Sequence, residues 1–339
     1  MVEKVRLGLI GTGRIGRIHA YNLRYRIPKA ELVAVVDIIE DAACCCANEL
    51  GVPVAETDCC KIFERDDIDA VVICCPTNLH ADLIEQAAAA GKHIFCEKPI
   101  ALEIDRTERA LAAVEEAGVK LQVGFNRRFD PSFRKAQQLI KSGEIGTPHI
   151  VRITSRDPGP PPIEYVKVSG GLFADMMIHD FDMARFLLGD DVKELVAYGD
   201  CLVDPAIGEA GDIDTAIVVL KYENGAMGAI DNSRKAVYGY DQRIEIHGSK
   251  GTIIVGNKTP TEVKLHTEDG IFGDVLLNFF IERYQESFLA EMEEFIECVL
   301  SDKEPSVSGI DGLKSLKMAY AALESLKTGS FVNVNSIQS

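Results

Sequence analysis

The chain has 339 residues, 47% hydrophobic and 26% charged, which is typical of a soluble globular protein with two domains. Its 53 acidic residues outnumber the 36 basic ones, and the net charge of −17 disfavours nucleic acid and anionic membranes as partners. No apolar run is long enough to span a membrane. The first segment, MVEKVRLGLIG, lacks the apolar core of a signal peptide, so we expect a cytoplasmic protein.

The cysteines support the same compartment. There are ten, and seven of them stand in adjacent runs at 44–46, 59–60 and 74–75. Adjacent cysteines suit neither a disulfide framework nor the C-x-x-C spacing of a zinc site. We therefore predict ten reduced thiols in a cytoplasmic protein and no metal.

The first third of the chain alternates apolar runs with helical patterns. The apolar runs cover 5–10, 31–37, 70–75, 93–98 and 120–125, with helical patterns between them. Continuous apolar strands separated by helices are typical of a parallel sheet covered on both faces. This pattern predicts a doubly wound α/β domain over residues 1–125.

The pattern changes at Asn126, where the strands become longer and alternate in polarity. The stretches ENG at 223–225 and GSKG at 248–251 read as hairpin turns between such strands. Helical patterns cover 174–189, 279–300 and 309–326. Residues 126–339 are therefore predicted to form a second, α+β domain with a large, mostly antiparallel sheet.

A glycine-rich loop, GTGRIG, directly follows the first strand and opens a helix. It places Gly11, Gly13 and Gly16 as G-x-G-x-x-G, with Arg14 and Ile15 between the last two. In this context the glycines permit a tight turn, a close approach to a pyrophosphate, and close packing of helix on strand. The helix N-terminus then offers N–H groups to phosphates. The loop predicts a dinucleotide site.

Asp37, at the end of the second strand, selects the dinucleotide. It follows Gly16 by 21 residues, the spacing at which an acid accepts hydrogen bonds from the ribose hydroxyls of NAD. A carboxylate would repel the 2′-phosphate of NADP, and the next two residues, Ile38 and Ile39, provide no arginine for it. The sequence therefore favours NAD.

The next two strands end in polar residues. Parallel sheets deliver functional groups at the carboxyl ends of their strands, so Lys98 should point towards the nicotinamide. A surface lysine paired with Glu97 is the alternative. Base rates favour a trans bond between Lys98 and Pro99. The predicted cofactor contacts are Gly11, Gly13, Arg14, Ile15, Gly16, Asp37, Pro76, Thr77, Asn78, His80, Glu97 and Lys98.

The pattern DMMIHDFDMARFLL predicts a helix with Asp175, His179 and Asp182 on one stripe. A histidine there can be an ordinary core or surface residue, a metal ligand together with Asp175, or an acid–base group tuned by the carboxylate. The residues alone leave these three readings open.

GTGRIG, Asp37, CEKP and GGLFADMMIHDFDMARFLLG, in this order, resemble the glucose–fructose oxidoreductase, inositol dehydrogenase and rhizopine catabolism family of NAD(P)-dependent dehydrogenases. The resemblance covers nearly the whole chain, and inositol 2-dehydrogenases look most similar. It implies a Rossmann domain followed by an α/β domain with an open, mostly antiparallel sheet. It also implies oligomers, often tetramers, that form through the open face of that sheet.

The resemblance also implies roles for single residues. The family's lysine falls on Lys98, and its D-x-x-x-H pair falls on Asp175 and His179. We therefore expect NAD-dependent oxidation of a ring hydroxyl, with myo-inositol giving the 2-keto product. Weaker candidates for substrate contacts are Asn126, Arg127, Asp182, Tyr238 and Asp241. The alternatives are another inositol isomer or sugar as substrate, such as scyllo-inositol or glucose, and a non-catalytic regulator that binds dinucleotide and sugar.

Overall fold

The computed structural model describes residues 4–338, which form two compact units. Unit 1 holds the described residues up to Phe129 together with Glu286–Lys314, and unit 2 holds Asp130–Gln285 and Ser315–Gln338. The sequence did not predict that 286–314 belongs with the first unit. Division into functional domains at 1–125 and 126–339 stays a prediction. The first segment, which was predicted not to be a signal peptide, begins with residues 1–3, and these lie outside the described part.

Strands and helices alternate through the first part of the chain. They are β1 (Val5–Ile10), α1 (Arg14–Tyr21), β2 (Ala30–Val36), α2 (Glu40–Leu50), β3 (Val54–Glu56), α3 (Cys60–Phe63), β4 (Ala70–Ile73), α4 (His80–Ala89), β5 (His93–Cys96), α5 (Ile104–Ala117) and β6 (Leu121–Val123). The six strands pair in parallel in the order β3-β2-β1-β4-β5-β6. The predicted parallel sheet is confirmed, and its strand order reverses between β1 and β4, where such sheets bind ligands.

Strands and helices of the remaining chain differ in order and spacing. They are α6 (Pro131–Lys141), β7 (Pro148–Arg156), α7 (Ile163–Val166), α8 (Gly171–Asp175), α9 (Ile178–Leu188), β8 (Val192–Asp200), α10 (Pro205–Glu209), β9 (Thr215–Tyr222), β10 (Met227–Ser233), β11 (Asp241–Gly248), β12 (Thr252–Val255), β13 (Lys264–Thr267), β14 (Gly270–Gly273), α11 (Phe280–Arg283), α12 (Gln285–Ser301), α13 (Gly309–Thr328) and β15 (Val332–Asn333).

Unit 2 is built on a seven-stranded sheet in the order β12-β11-β7-β10-β9-β8-β15. Only the β7–β10 pair among these described strands is parallel, and both predicted hairpin turns join neighbouring strands. Side chains alternate along β9, with Val218 and Leu220 buried and Ile217 and Val219 exposed. Such alternation leaves one face of the sheet on the core and the other open. The predicted mostly antiparallel sheet is confirmed.

Helix α12 returns to unit 1 because its apolar side chains complete the core there. Met292, Phe295 and Ile296 are buried in one cluster with Leu7 of β1 and Phe95 of β5. Burying such side chains contributes roughly 1.5–3 kcal/mol each. The helix is therefore part of the core of unit 1 although it follows unit 2 in the chain.

The predicted helix over 174–189 is wrong as one continuous helix. Helix α8 ends at Asp175 and α9 begins at Ile178, because the amides of Met176 and Met177 both donate to the carbonyl of Leu172, at 3.0 and 2.9 Å. The Met177 bond reaches five residues back instead of four, so it widens the helical turn and interrupts the α-helical hydrogen-bond pattern. Asp175 and the residue after Ile178, His179, therefore lie on two helices.

Within residues 4–338, none of the helices combines the length and the apolar character needed to cross a membrane.

Candidate functional site

The glycine loop after β1 has the geometry that the motif predicts. Gly11 has φ +95°, and a Cβ there would lie 2.7 Å from the backbone of Cys74. A Cβ on Gly16 would lie 1.9 Å from the carbonyl oxygen of Gly11, whereas one on Gly13 would meet nothing within 4 Å. The loop is thus folded tightly on the sheet at its first and third glycines and open at the second.

The open space over Gly13 fits a pyrophosphate. Helix α1 begins directly after it, with Arg14 exposed and Ile15 half-buried, and no side chain caps its first N–H groups. Such N–H groups lack acceptors within the helix and carry its positive dipole end. The loop and the helix terminus together provide the donors that a dinucleotide needs.

Asp37, predicted to bind the ribose, directly follows β2. Its Oδ2 accepts hydrogen bonds from the amide and hydroxyl of Thr12, both at 2.8 Å, and its Oδ1 accepts one from the amide of Ile39. Burial raises the pKa of Asp37, but the amides of Ile39 and Thr12 outweigh burial and hold it below its ordinary value. The group is a fixed carboxylate beside the glycine loop, as recognition of ribose hydroxyls requires.

The segment after β4 carries three of the predicted cofactor contacts. Pro76 and Asn78 are exposed and Thr77 is half-buried in a short 3-10 turn. Because β4 lies beside β1 in the sheet, this turn and the glycine loop stand at the same sheet edge.

His80 differs from these three residues because its ring is buried. Its Nδ1 lies 2.8 Å from the carbonyl oxygen of Pro99 and its Nε2 lies 2.8 Å from that of Cys75. Burial lowers the pKa of His80, although the two carbonyl contacts oppose the shift. With both nitrogens at backbone oxygens, His80 holds the segment after β5, and a direct cofactor contact stays a prediction that this geometry does not favour.

Glu97 and Lys98 directly follow β5 at the same edge. Both are half-buried, and Oε1 of Glu97 lies 2.9 Å from Nε2 of the buried His19. The Lys98–Pro99 bond is cis, whereas base rates had favoured trans. The Glu97 carboxylate thus lies at a histidine of α1. The direction of Lys98 towards the nicotinamide stays a prediction.

Asp175 in unit 2 is held by two side chains that the sequence did not predict. Its Oδ1 accepts a hydrogen bond from the Tyr165 hydroxyl at 2.8 Å, and its Oδ2 accepts one from the buried Arg234 at 3.1 Å. Burial raises the pKa of Tyr165, and the charge of Asp175 adds to the shift. The hydroxyl and the guanidinium, one on each oxygen, therefore fix the orientation of the Asp175 carboxylate.

Two more carboxylates lie on α9 beside the half-buried His179. Asp182, a predicted substrate contact, is fully buried, and so is Asp180. Asp180 accepts hydrogen bonds from the Ser155 hydroxyl at 2.6 Å and the Asn232 amide at 2.9 Å. Asp180 thereby ties α9 to the sheet and sets the position of the helix that carries His179.

Tyr238 and Asp241 line a cavity of about 440 Å³ with Arg243, Asn257, Asp274, Val275 and Leu276. The Tyr238 hydroxyl donates to Oδ2 of Asp241 at 2.7 Å. Oδ1 of Asp241 accepts hydrogen bonds from Nε of Arg243 at 2.7 Å and from the side-chain amide of Asn257 at 2.5 Å. Asp241 has donors on both oxygens, so its contact with substrate stays a prediction.

Asn126 and Arg127 are buried in a 3-10 turn of unit 1, only 6% and 5% exposed. The structure brings Lys98 and the cofactor candidates to one edge of unit 1, and places Asp175, His179 and Asp182 together on the α8–α9 segment of unit 2. The sequence offered no signal for Tyr165 or Arg234, which are single polar residues without a motif.

Comparisons with known proteins identify the class. Residues 5–125 match the model of the oxidoreductase family with an NAD-binding Rossmann fold, and residues 133–254 match the GFO/IDH/MocA C-terminal domain. The chain belongs to the GFO/IDH/MocA oxidoreductase family, an assignment that confirms the resemblance seen in its motifs.

Individual members of this family show which dehydrogenases the chain is similar to. The chain is 49% identical to a myo-inositol 2-dehydrogenase of Thermotoga maritima, over 98% of this chain and 99% of that protein. A crystal structure of a probable dehydrogenase from Thermotoga maritima matches with a TM-score of 0.97 at 49% identity, covering 98% of this chain and all of the other. The scyllo-inositol dehydrogenase of Lactobacillus casei, crystallised with NAD(H) and scyllo-inositol, matches with a TM-score of 0.92 at 33% identity, covering 98% and 100%.

Proposed function

We propose that this chain is an NAD-dependent dehydrogenase that oxidises a secondary ring hydroxyl of a cyclic polyol, myo-inositol to its 2-keto product. The observation that carries the proposal is 49% identity to a myo-inositol 2-dehydrogenase over nearly the full length of both chains. Lys98, Asp175 and His179 are all present, as the chemistry requires.

His179 takes the proton of the reacting hydroxyl as general base, and Asp175 stabilises the charged imidazole. Arg234 and Tyr165 fix the carboxylate of Asp175, so it enters the reaction without rearranging. Lys98 donates a hydrogen bond to the reacting oxygen and stabilises the negative charge that develops there. NAD, when bound, supplies the hydride acceptor. No metal is required because Lys98 supplies the positive charge.

Cofactor binding follows from the loop geometry. The amides at Gly13, Arg14, Ile15 and Gly16 hold the pyrophosphate, and Asp37 accepts from the ribose hydroxyls. Gly11 shapes the turn that presents these amides, because its own amide donates to the carbonyl of Val36 at 2.8 Å. The remaining candidate cofactor contacts are Pro76, Thr77, Asn78, His80, Glu97 and Lys98. The candidate substrate contacts are Asn126, Arg127, Asp182, Tyr238 and Asp241.

We further propose a cytoplasmic homotetramer without nucleic-acid or membrane partners. The net charge of −17 and the ten cysteines, none of them in a disulfide, support the compartment and the choice of partners. The exposed apolar face of the seven-stranded sheet supports an oligomer.

A second substrate, scyllo-inositol, is favoured by the likeness to the scyllo-inositol dehydrogenase structure. The deciding experiment follows NADH formation by ultraviolet absorbance with myo-inositol, scyllo-inositol, D-chiro-inositol and glucose, using NAD and NADP in parallel. Turnover of myo-inositol with NAD supports the proposal, and turnover of another polyol alone replaces the substrate. Binding of NAD without turnover of any polyol would favour a regulator.

Replacing Lys98 tests the mechanism. We expect Lys98→Ala to lower kcat on the order of 10²-fold while NAD still binds, because the charge on the reacting oxygen loses its donor. Lys135→Ala, at an exposed position on α6, is the control and should keep the wild-type rate. A normal rate for Lys98→Ala would remove this mechanism.

A further inference from the structure

A buried cluster of ionisable side chains lies in unit 1 beside the segment that carries Lys98. His19 comes from α1, Glu97 follows β5 and Glu291 comes from α12, and their ligand-type atoms all lie within 4.8 Å of one another. His19 and Glu291 are both 0% exposed. The proposed mechanism gives neither of them a role, although a fully buried acid is rare in a folded protein.

The His19–Glu97 contact is held in one geometry. Nε2 of His19 lies 2.9 Å from Oε1 of Glu97, and the imidazole makes edge contacts with the rings of Phe95 and Phe288. Gly124 leaves the room for this carboxylate, because a Cβ there would lie 2.8 Å from Oε2 of Glu97. Glu97 therefore cannot move without disturbing both α1 and the strand end.

Glu291 faces the same pair without a donor of its own. Both of its carboxylate oxygens are buried and make no hydrogen bond with the described residues, and Oε1 lies 3.8 Å from Nε2 of His19. Gln122 donates to the backbone carbonyl of Glu291 at 2.7 Å, and Met292 beside it is in the core. The side chain is thus fixed at a place where an ionised carboxylate is strongly disfavoured.

Both burial and a neighbouring carboxylate disfavour an anion at Glu291. Burial raises the pKa of Glu291 well above its ordinary value, and the charge of Glu97 adds to the shift. Burial also raises the pKa of the thiols of Cys74 and Cys96, with Glu97 adding in both cases, so these neighbours are neutral. Lys98 directly follows Glu97 in the chain.

We propose that Glu291 is a positioning residue that holds a proton at neutral pH and thereby keeps the His19–Glu97 hydrogen bond, and with it Lys98, in place. An ionised Glu291 would repel Glu97 and attract the N–H of His19. On the other side of Lys98, His80 holds the carbonyl of Pro99 at 2.8 Å. The effect on Lys98 rests on the proposed function, whereas the proton on Glu291 does not.

The pH dependence of unfolding tests whether Glu291 carries a proton, and this measurement needs no substrate. A carboxyl in the unfolded chain loses its proton near pH 4.3, whereas the folded chain keeps the proton on Glu291, so unfolding at neutral pH releases it. The folding equilibrium constant of wild type, relative to Glu291→Gln, should therefore fall by up to tenfold for each pH unit above about 5.

The measurement is urea unfolding at pH 5.5, 6.5 and 7.5, followed by circular dichroism because the chain has no tryptophan. Glu293→Gln, exposed on the same helix, is the control and should remain parallel to wild type. Parallel curves for wild type and Glu291→Gln would overturn the proposal. One divalent cation per purified chain, absent in Glu291→Gln, would also overturn it, because Glu291 would then be an anionic ligand.

The positioning is tested by kinetics with NAD and myo-inositol. His19→Phe keeps an aromatic ring but removes the donor to Glu97, and we expect kcat to fall about tenfold with NAD affinity within twofold of wild type. His19→Gln restores an N–H donor and should recover most of kcat. We expect kcat of wild type to fall at alkaline pH as Glu291 ionises, and this fall should be absent in Glu291→Gln, whose amide does not ionise.

Unchanged kcat in His19→Phe, or the same pH profile in Glu291→Gln as in wild type, would remove the positioning role. Wild-type protein inactive on every polyol would instead contradict the proposed function, and the unfolding series would still decide whether Glu291 carries the proton.

Discussion

Gly13 and Gly16 stand three residues apart in one loop, yet a methyl group meets different surroundings at each. A Cβ on Gly13 has nothing within 4 Å, whereas one on Gly16 lies 1.9 Å from the carbonyl oxygen of Gly11. Gly13→Ala should lower the free energy of unfolding by only about 0.5–1 kcal/mol, the usual cost of alanine in place of glycine at a helix N-cap, because φ −67° itself suits alanine. Gly16→Ala should cost about 1–3 kcal/mol, because the backbone must move.

Both variants should weaken NAD binding at least about tenfold, since Gly13 lies where the pyrophosphate approaches. Urea unfolding followed by circular dichroism gives the stabilities, and calorimetric titration with NAD gives the affinities. Equal losses of stability in the two variants would mean that the open space over Gly13 is not present in solution.

The amount that the sequence reveals differs from residue to residue in this site. Gly11 and Gly16 were predictable because a Cβ at either position would clash with the backbone. Asp37 was singled out by its spacing from the glycines, and its role at the ribose stays a prediction. The partners of Asp175 were not, because Tyr165 and Arg234 reach it through tertiary contacts 10 and 59 residues away in the chain. A side chain recruited by packing leaves no periodic signal in the sequence.

At the scale of elements, Asp214 organises the connection between β8 and β9. Its buried carboxylate accepts hydrogen bonds from the amides of Leu202, Val203 and Asp204 at 2.8–2.9 Å. Burial raises the pKa of Asp214, but these amides outweigh burial and hold it below its ordinary value. The folded pKa is lowered, so the stabilisation is present above about pH 4 and is lost as the pH falls through the folded pKa.

Asp214→Asn should therefore lower the free energy of unfolding by about 1–3 kcal/mol at pH 7, and the difference from wild type should shrink below pH 4. Urea unfolding at pH 7, 5 and 3.5 measures it, with Glu209→Gln, exposed on α10, as the control. A difference that stays constant down to pH 3.5 would show that the carboxylate charge plays no part.

Predictions for elements succeeded where periodicity decides and failed where a local turn or a distant core decides. Five of the six strands in the sheet of unit 1 were readable as apolar runs, and the short β3 was missed. The break between α8 and α9 depends on two amides sharing the carbonyl of Leu172. The helical pattern over 279–300 predicted a helix, and nothing in that pattern identified the core on which α12 packs. Contacts between distant segments decide such cases.

For the whole molecule, the open face of the seven-stranded sheet is the feature with the largest consequence. Ile217 and Val219 of β9 are 51% and 44% exposed, and in register with them are the exposed Tyr198 of β8 and the half-buried Ala229 of β10. Monomeric proteins rarely expose a contiguous apolar surface of this kind. A second copy of the chain covering the face is the simplest way to bury it.

We therefore expect Val219→Glu to dissociate the proposed homotetramer into smaller species, because it places a desolvated charge in the centre of the interface. Size-exclusion chromatography with light scattering, repeated over a range of protein concentrations, measures the mass. Ile310→Glu, at an exposed apolar residue near the start of α13, is the matched control and should leave the mass unchanged. A wild-type protein that is monomeric, or a Val219→Glu protein with the wild-type mass, would show that this face is not the interface.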